Sequence, residues 1–395
     1  MKRTSPVKTD LSLLHAIRGV AAMYVVVYHA KFIMWCGGAE YLKAFPRAGW
    51  NPLDYVIFLL DMLFSSGSQM VMIFFVLSGF FIAMSLEGLK GTPGQKVRNF
   101  YTVRILRIYI PYLASILVSV LVLYWASTFA PDLFNTISGR EFNTRLVAAV
   151  KDLTFSNFLQ SLLFTKNQEY IGFNYAYWSL LHEGLFYLSI PFIYQFRRSY
   201  LACSFLLFLA GALFFYNSSE DDVFIKFLFE YNFYFAVGIT LYTYRDVAGQ
   251  IITKRNFKWP ILICCFFLTI GFIALTIAKV SLLPNILAVM TAVLLMLLLL
   301  NYEIGNTIFV KMIKSLGKIS YSLYLIHVPV LIAVMALLNR YTGKQFFYGH
   351  VYWIGVLASL LAGYAFYRIA EGPSLRLISS LKKRLRKEHQ ADSKP

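Results

Sequence analysis

The residues best equipped for chemistry are ionisable side chains set within apolar runs. They are His15, Arg18 and His29 in LSLLHAIRGVAAMYVVVYHA, Arg104 and Arg107 in RNFYTVRILRIYIPY, His182 and Glu183 in YWSLLHEGLFYLSIPF, and His327 in SYSLYLIHVPVLIAV. Taking such groups out of water is costly, so they face one another, water or a substrate. A helix turns about 100° and rises about 1.5 Å per residue, so the steps from Arg18 to His29 return to within roughly 20° of one face, about 16 Å further along. His15, one turn before Arg18, joins that stripe. The stripe reads either as a functional polar seam or as a snorkelling arginine and a hydrogen-bonded packing histidine.

Arg104 and Arg107 are neighbours on one helix face, a pair that can grip phosphate bidentately or simply anchor a helix at the headgroups. Glu183 suits a general base, or a carboxylate that fixes an imidazole in one tautomer; in a purely structural role it bonds Arg18 or a histidine across the bundle. His182 is adjacent and points about 100° away. His327 precedes Pro329, whose missing N–H can leave a carbonyl free in the bundle, and a lone intramembrane histidine is more often structural than catalytic. Ser78-Gly79 permits a close helix approach. Glu371 and Pro373 read as a helix stop with a charge-paired terminus. His350, at an outer interface, and His389, in the tail, carry no assigned role.

Holding these groups requires a bundle of membrane helices. The 395 residues are 58% hydrophobic, 17% aromatic and only 14% charged, the composition of an all-α polytopic membrane protein. Apolar runs predict ten transmembrane helices, at about 11–35, 69–88, 104–127, 177–196, 200–217, 224–244, 258–278, 281–301, 319–338 and 350–370. Segment 53–64, interrupted by Asp54 and Asp61, is shorter and is expected as an amphipathic or re-entrant element. A net charge of +18 would suggest nucleic acid in a soluble protein, but here the basic residues sit in short loops and at the termini, and no nucleic acid is expected.

Placing Lys2, Arg3 and Lys8 in the cytoplasm also puts Lys90, Lys96 and Arg98, Arg197 and Arg198, Arg245 to Lys258, and Lys311 to Lys318 there, with both termini cytoplasmic. The loop NSSEDD, without Lys or Arg, falls on the other side. A transmembrane domain over 1–375 then carries a long outer connection at about 128–176, and residues 376–395 form a basic cytoplasmic tail suited to anionic lipid. The first apolar run lacks a small-residue cleavage site and reads as a retained span. Cys36, Cys203, Cys264 and Cys265 have neither metal-ligand spacing nor disulfide density, so they read as packing residues and no metal is predicted.

The order of the motifs is more specific than any one of them. Arg-Gly with His29 at R-x10-H, FFVLSGFFI, the R-x-x-R pair, WSL-x-x-E-x-x-FY, SYSLYLIH-x-P and a terminal E-x-P together resemble, over nearly the whole chain, the acyltransferase 3 family of membrane proteins. The resemblance implies a ten-helix core in the bacterial inner membrane. It implies transfer of an acyl group, commonly acetyl, from cytosolic acyl-CoA (acyl-coenzyme A) to hydroxyls of glycans such as O-antigen, peptidoglycan or exopolysaccharide. Arg18 and His29 match the family's signature pair, Arg104 and Arg107 its donor-binding arginines, and Glu183 its fourth-span acid. His29 and Glu183 are thereby the expected catalytic residues, with Arg18, Arg104, Arg107 and His327 expected at the donor or substrate.

Expected partners are membrane lipid, the glycan acceptor, and a separate acyltransferase or glycan-assembly protein, since no fused esterase-like domain is expected. His15 stands where members often carry an acid, and Gly184 where they often carry a second one. The reading from another class is a transporter of a lipid-linked glycan or small anion, with the buried charges as its pathway; no paired interrupted helices of the inverted-repeat kind are evident.

Overall fold

In the computed structural model the described elements are helical, joined by turns and one isolated backbone bridge between Trp35 and Phe347. The structure describes residues 11–136, 139–215 and 223–392; the loop NSSEDD, the basic N-terminal residues and the side chain of His389 fall outside them. In chain order the helices are α1 Leu11–Met34, α2 Gly38–Ala44, α3 Pro52–Leu63, α4 Gly67–Glu87, α5 Pro93–Phe129, α6 Glu141–Lys151, α7 Phe155–Ser161 and α8 Trp178–Ile193. They continue with α9 Arg197–Ala210, α10 Val223–Lys226, α11 Asn232–Lys254, α12 Lys258–Ile277, α13 Leu283–Asn301, α14 Ile308–Thr342, α15 Tyr352–Phe366 and α16 Gly372–Asp392. The chain forms two compact units, one of residues 1–24, 58–88 and 182–318, the other of 25–57, 89–181 and 319–395.

Among the described residues, nine helical stretches are long and apolar enough to cross a membrane, against ten predicted. The difference lies in Tyr175–Phe214, a single stretch of 40 residues that contains the fourth predicted span and most of the fifth. At about 1.5 Å per residue it would measure roughly 60 Å, twice a hydrocarbon core.

Residue registers within the first unit show that the stretch doubles back. Helix α8 runs alongside α4 in the same direction, since Glu183 meets Ser78 and Tyr194, just beyond α8, meets Ala83 and Glu87. It is likewise parallel to α11, with His182 against Tyr231 and Phe186 stacked on Phe235. Helix α9 runs the other way along α11, because Phe208 packs on Phe233 whereas Leu201 lies with Val237 and Leu241. The chain therefore reverses at the 3-10 turn Tyr194–Phe196.

Glycines set the closest approach in this unit. A methyl added at Gly79 would strike the carbonyl of Phe235, and one at Gly238 the carbonyl of Val76, so α4 and α11 meet backbone to backbone, as small residues permit in membranes. Gly19 and Gly317 make a second such crossing. His15 lies flat against Phe81, ring centroids 4.5 Å apart. That stacking gives the otherwise unexplained histidine a packing role.

In the second unit α5 begins well before its predicted span, at a capping box in which Thr92 and Gln95 bond each other's backbone N–H. Pro111 takes away the donor for the Arg107 carbonyl, and side chains hold the carbonyls on either side. Ser374 bonds Leu106 O at 2.5 Å and Tyr321 bonds Ile108 O at 3.0 Å. Helix α3 has 12 residues, about 18 Å long and too short to span, as expected for segment 53–64.

One expectation is corrected. Glu371-Gly372-Pro373 does not stop the helix: a π-helical turn, Tyr367–Glu371, leads directly into α16, which runs to Asp392. Pro373 falls where the π-helical turn shifts the hydrogen-bond register, the Gly372 N–H reaching back to Tyr367 O, so its missing donor is absorbed at an irregular turn of a continuing helix. Glu371 is buried and accepts from the Ser322 hydroxyl at 2.5 Å and the Ser322 N–H at 3.2 Å, so hydrogen bonds tie it to α14.

Candidate active site

The second unit brings together two of the histidines singled out by sequence. His29 Nδ1 lies 2.8 Å from His327 Nε2, and the two rings are near parallel, with centroids 5.1 Å apart. The remaining nitrogen of His327, Nδ1, is 2.8 Å from Tyr324 O and 3.1 Å from Leu323 O. Carbonyl oxygens only accept, so His327 Nδ1 carries the proton. Its Nε2 in the neutral ring is then an acceptor, and His29 Nδ1 must donate to it. The lone pair of His29 is left on Nε2, the requirement for a general base.

Pro329 explains how α14 holds this arrangement. Its missing N–H frees the carbonyl of Leu325, which accepts from Asn174 Nδ2 at 2.8 Å. Asn174 precedes Tyr175, whose ring stands near perpendicular to the His29 ring, centroids 4.7 Å apart. Gly172, at φ 65°, makes the turn into this segment and leaves no room for a Cβ against the Ser119 backbone.

The long connection expected at 128–176 supplies much of the surrounding wall. Arg145 makes a two-pronged pair with Glu169, Nε to Oε1 at 2.8 Å and Nη2 to Oε2 at 2.9 Å, and its guanidinium lies 5.7 Å from the centre of the Tyr175 ring. Hydrogen bonding to Glu169 holds Arg145 above its ordinary pKa. Arg140 caps α1, its guanidinium donating to the carbonyls of Phe32, Ile33, Trp35 and Gln345. Burial lowers its pKa to about 10, so it stays charged at neutral pH. No spacing or motif pairs Arg140, Arg145, Asn174 or Tyr175 with their partners, although the run TKNQEYIGFNYAY marks the segment by its polar and aromatic content.

The other expected residues have their own settings. Glu183, in the first unit, accepts from the hydroxyls of Ser78, at 2.9 Å, and Tyr187. Ser78 thus contributes a hydrogen bond as well as the close approach expected of Ser78-Gly79. His29 is oriented by His327 and the carbonyls behind it, a role for which the sequence offered Glu183. Arg18 is half-buried in the first unit. Arg104 and Arg107 share a face of α5, and the Arg104 guanidinium lies 5.7 Å from the Phe100 ring centre.

The acyltransferase 3 model, described as an acyltransferase domain, matches residues 12–368. That range contains His15, Arg18, His29, Arg104, Arg107, Glu183 and His327, whereas Glu371, Pro373 and Ser374 lie beyond it. No curated protein and no solved structure matches the chain.

Proposed function

Because the chain belongs to the acyltransferase 3 family, and is therefore a multi-pass membrane acyltransferase, we propose that it moves an acyl group, most simply acetyl, from acyl-CoA to a hydroxyl of a cell-surface or lipid-linked glycan. Family membership favours this over transport as the use of the intramembrane charges. The observation that carries the reading is the relay from backbone carbonyl through His327 to His29, which leaves His29 Nε2 as a base.

In the proposed reaction His29 Nε2 takes the proton from the acceptor hydroxyl as its oxygen attacks the thioester carbonyl. The tetrahedral intermediate then expels the coenzyme thiolate, which recovers the proton from His29, leaving an ester and a free thiol. The positive imidazolium formed on the way shares its Nδ1 proton with His327. Arg104 and Arg107 are proposed to hold donor phosphates, a geometry that their spacing on α5 suits. The donor role of Arg18 and the acid role of Glu183 rest on the family motifs. The connection over 128–176, with its tyrosines and its Arg145–Glu169 pair, suits a sugar acceptor, and the plasma membrane is the proposed location.

Purified protein in detergent or nanodiscs, given acetyl-coenzyme A and a glycan acceptor, should release thiol and form ester. Replacing His29 with Ala should lower that rate by about 10²- to 10⁴-fold, the usual contribution of a positioned base. Near-normal transfer by a well-folded His29→Ala protein would sink the assignment.

A further inference from the structure

Resting on that reading, we infer that the Tyr175 hydroxyl is the donor that receives the oxyanion when the thioester carbonyl is attacked. The argument begins with an exception among the tyrosines of the second unit. Tyr112 donates to Ser161 O at 2.6 Å, Tyr177 bonds Ser115 and Ser119 at 2.9 and 3.2 Å, and Tyr324 donates to Ala176 O at 2.9 Å. Tyr321 is committed in the same way to Ile108 O. The Tyr175 oxygen is buried and has no hydrogen-bond partner among the described residues.

A buried hydroxyl without a partner is costly, and native structures seldom keep one. This one belongs to the residue whose ring packs near perpendicular to that of His29, centroids 4.7 Å apart. Phe32 and Phe173 fix the same ring, with centroids 6.0 and 5.3 Å away. The Arg145 guanidinium near its face adds positive charge on that side. Donors already spent on protein acceptors cannot serve a reaction, whereas an uncommitted O–H on a ring packed against the base can. Transition-state stabilisation of acyl transfer calls for such a preorganised group.

The step balances without any further reagent. His29 Nε2 removes the acceptor proton, the new C–O bond forms, and the carbonyl π pair moves onto the oxygen, where the Tyr175 O–H hydrogen-bonds it. Collapse restores the C=O, breaks the C–S bond and returns the proton from His29 to the departing thiolate. Tyr175 keeps its own proton throughout.

The test is Tyr175→Phe, compared with wild type, His29→Ala and Tyr177→Phe in one thiol-release and ester-formation assay, with thermal unfolding of each. Tyr175→Phe should lower kcat by about 10²- to 10³-fold, the effect of losing one oxyanion donor, with KM for acetyl-coenzyme A little changed and Tm unchanged or raised. Tyr177→Phe, which strips a hydroxyl of two real partners, should show the opposite pattern, a lower Tm with kcat largely kept. Wild-type kcat in folded Tyr175→Phe, while release still depends on His29, overturns this inference alone. Release that does not depend on His29 removes the base assignment, and Tyr175 with it.

Discussion

An imidazole held by a second neutral imidazole differs from one held by a carboxylate. His327 fixes the tautomer of His29 without placing a negative charge beside it, so orientation is its main service. Graded substitution can measure that service. His327→Leu removes the acceptor and frees both His29 tautomers, and should cost about 10- to 100-fold in single-turnover thiol release, the equivalent of one lost buried hydrogen bond. His327→Gln keeps an acceptor oxygen and should fall between Leu and wild type; equal rates for all three would show that His327 does not position the base. The histidine pair also marks how far residue-level reading reached. His29 and His327 each stood out as polar groups in apolar runs, but they lie 298 positions apart. No spacing rule connects two helices at that separation, and so His327 read as a donor-side residue and not as the partner of His29.

At the scale of elements, the end of α1 depends on one side chain from a distant segment. Arg140 satisfies carbonyls at Phe32, Ile33 and Trp35 that helix geometry leaves without intrahelical donors. Arg140→Ala should therefore destabilise the protein by about 2–4 kcal/mol, since several buried acceptors lose their donor together. Arg140→Lys keeps the charge but not the planar fork, and should recover only part of the loss in a thermal unfolding series. Tyr175 and the loop around it make no such cap, which separates this stability effect from the catalytic one. A second element-level prediction concerns the α4–α11 crossing: Gly79→Leu forces a side chain into the Phe235 carbonyl and should lower Tm sharply, whereas Gly94→Leu, with open space around its Cβ position, should not. The helices themselves were legible because hydropathy reports membrane-length apolar runs. Their ends were not, because the polar extensions of α5 and α14 carry no such signal and a π-turn can take a chain past a Glu-Gly-Pro that reads as a stop.

For the whole molecule, the number of crossings decides where the termini lie. Nine crossings would place them on opposite faces of the bilayer, and ten on the same face. Counting by length merges Tyr175–Phe214 into one stretch, but α8 runs with α11 and α9 runs against it. If both arms of the reversal at Tyr194–Phe196 span the bilayer, the total is even. With an even count the basic residues would fall consistently on one side, Arg197 and Arg198 at the reversal and Arg245 to Lys258 from the last turns of α11 to the start of α12, as the positive-inside rule requires. Reporter fusions can separate the two counts. Alkaline phosphatase, active only outside the cytoplasm, should be inactive when joined after Arg198, after Arg255 or at the C-terminus, and active when joined within the connection near Gly139. An active C-terminal fusion together with an inactive one after Arg198 would favour the odd count and place the basic helix α16 on the outer face. The fusion near Gly139 tests the proposed reaction separately, because α5 and the connection after it precede the disputed stretch: an active fusion there would put the connection carrying Arg145 on the side opposite Arg104 and Arg107, as transfer from a cytoplasmic donor to an outer acceptor would require.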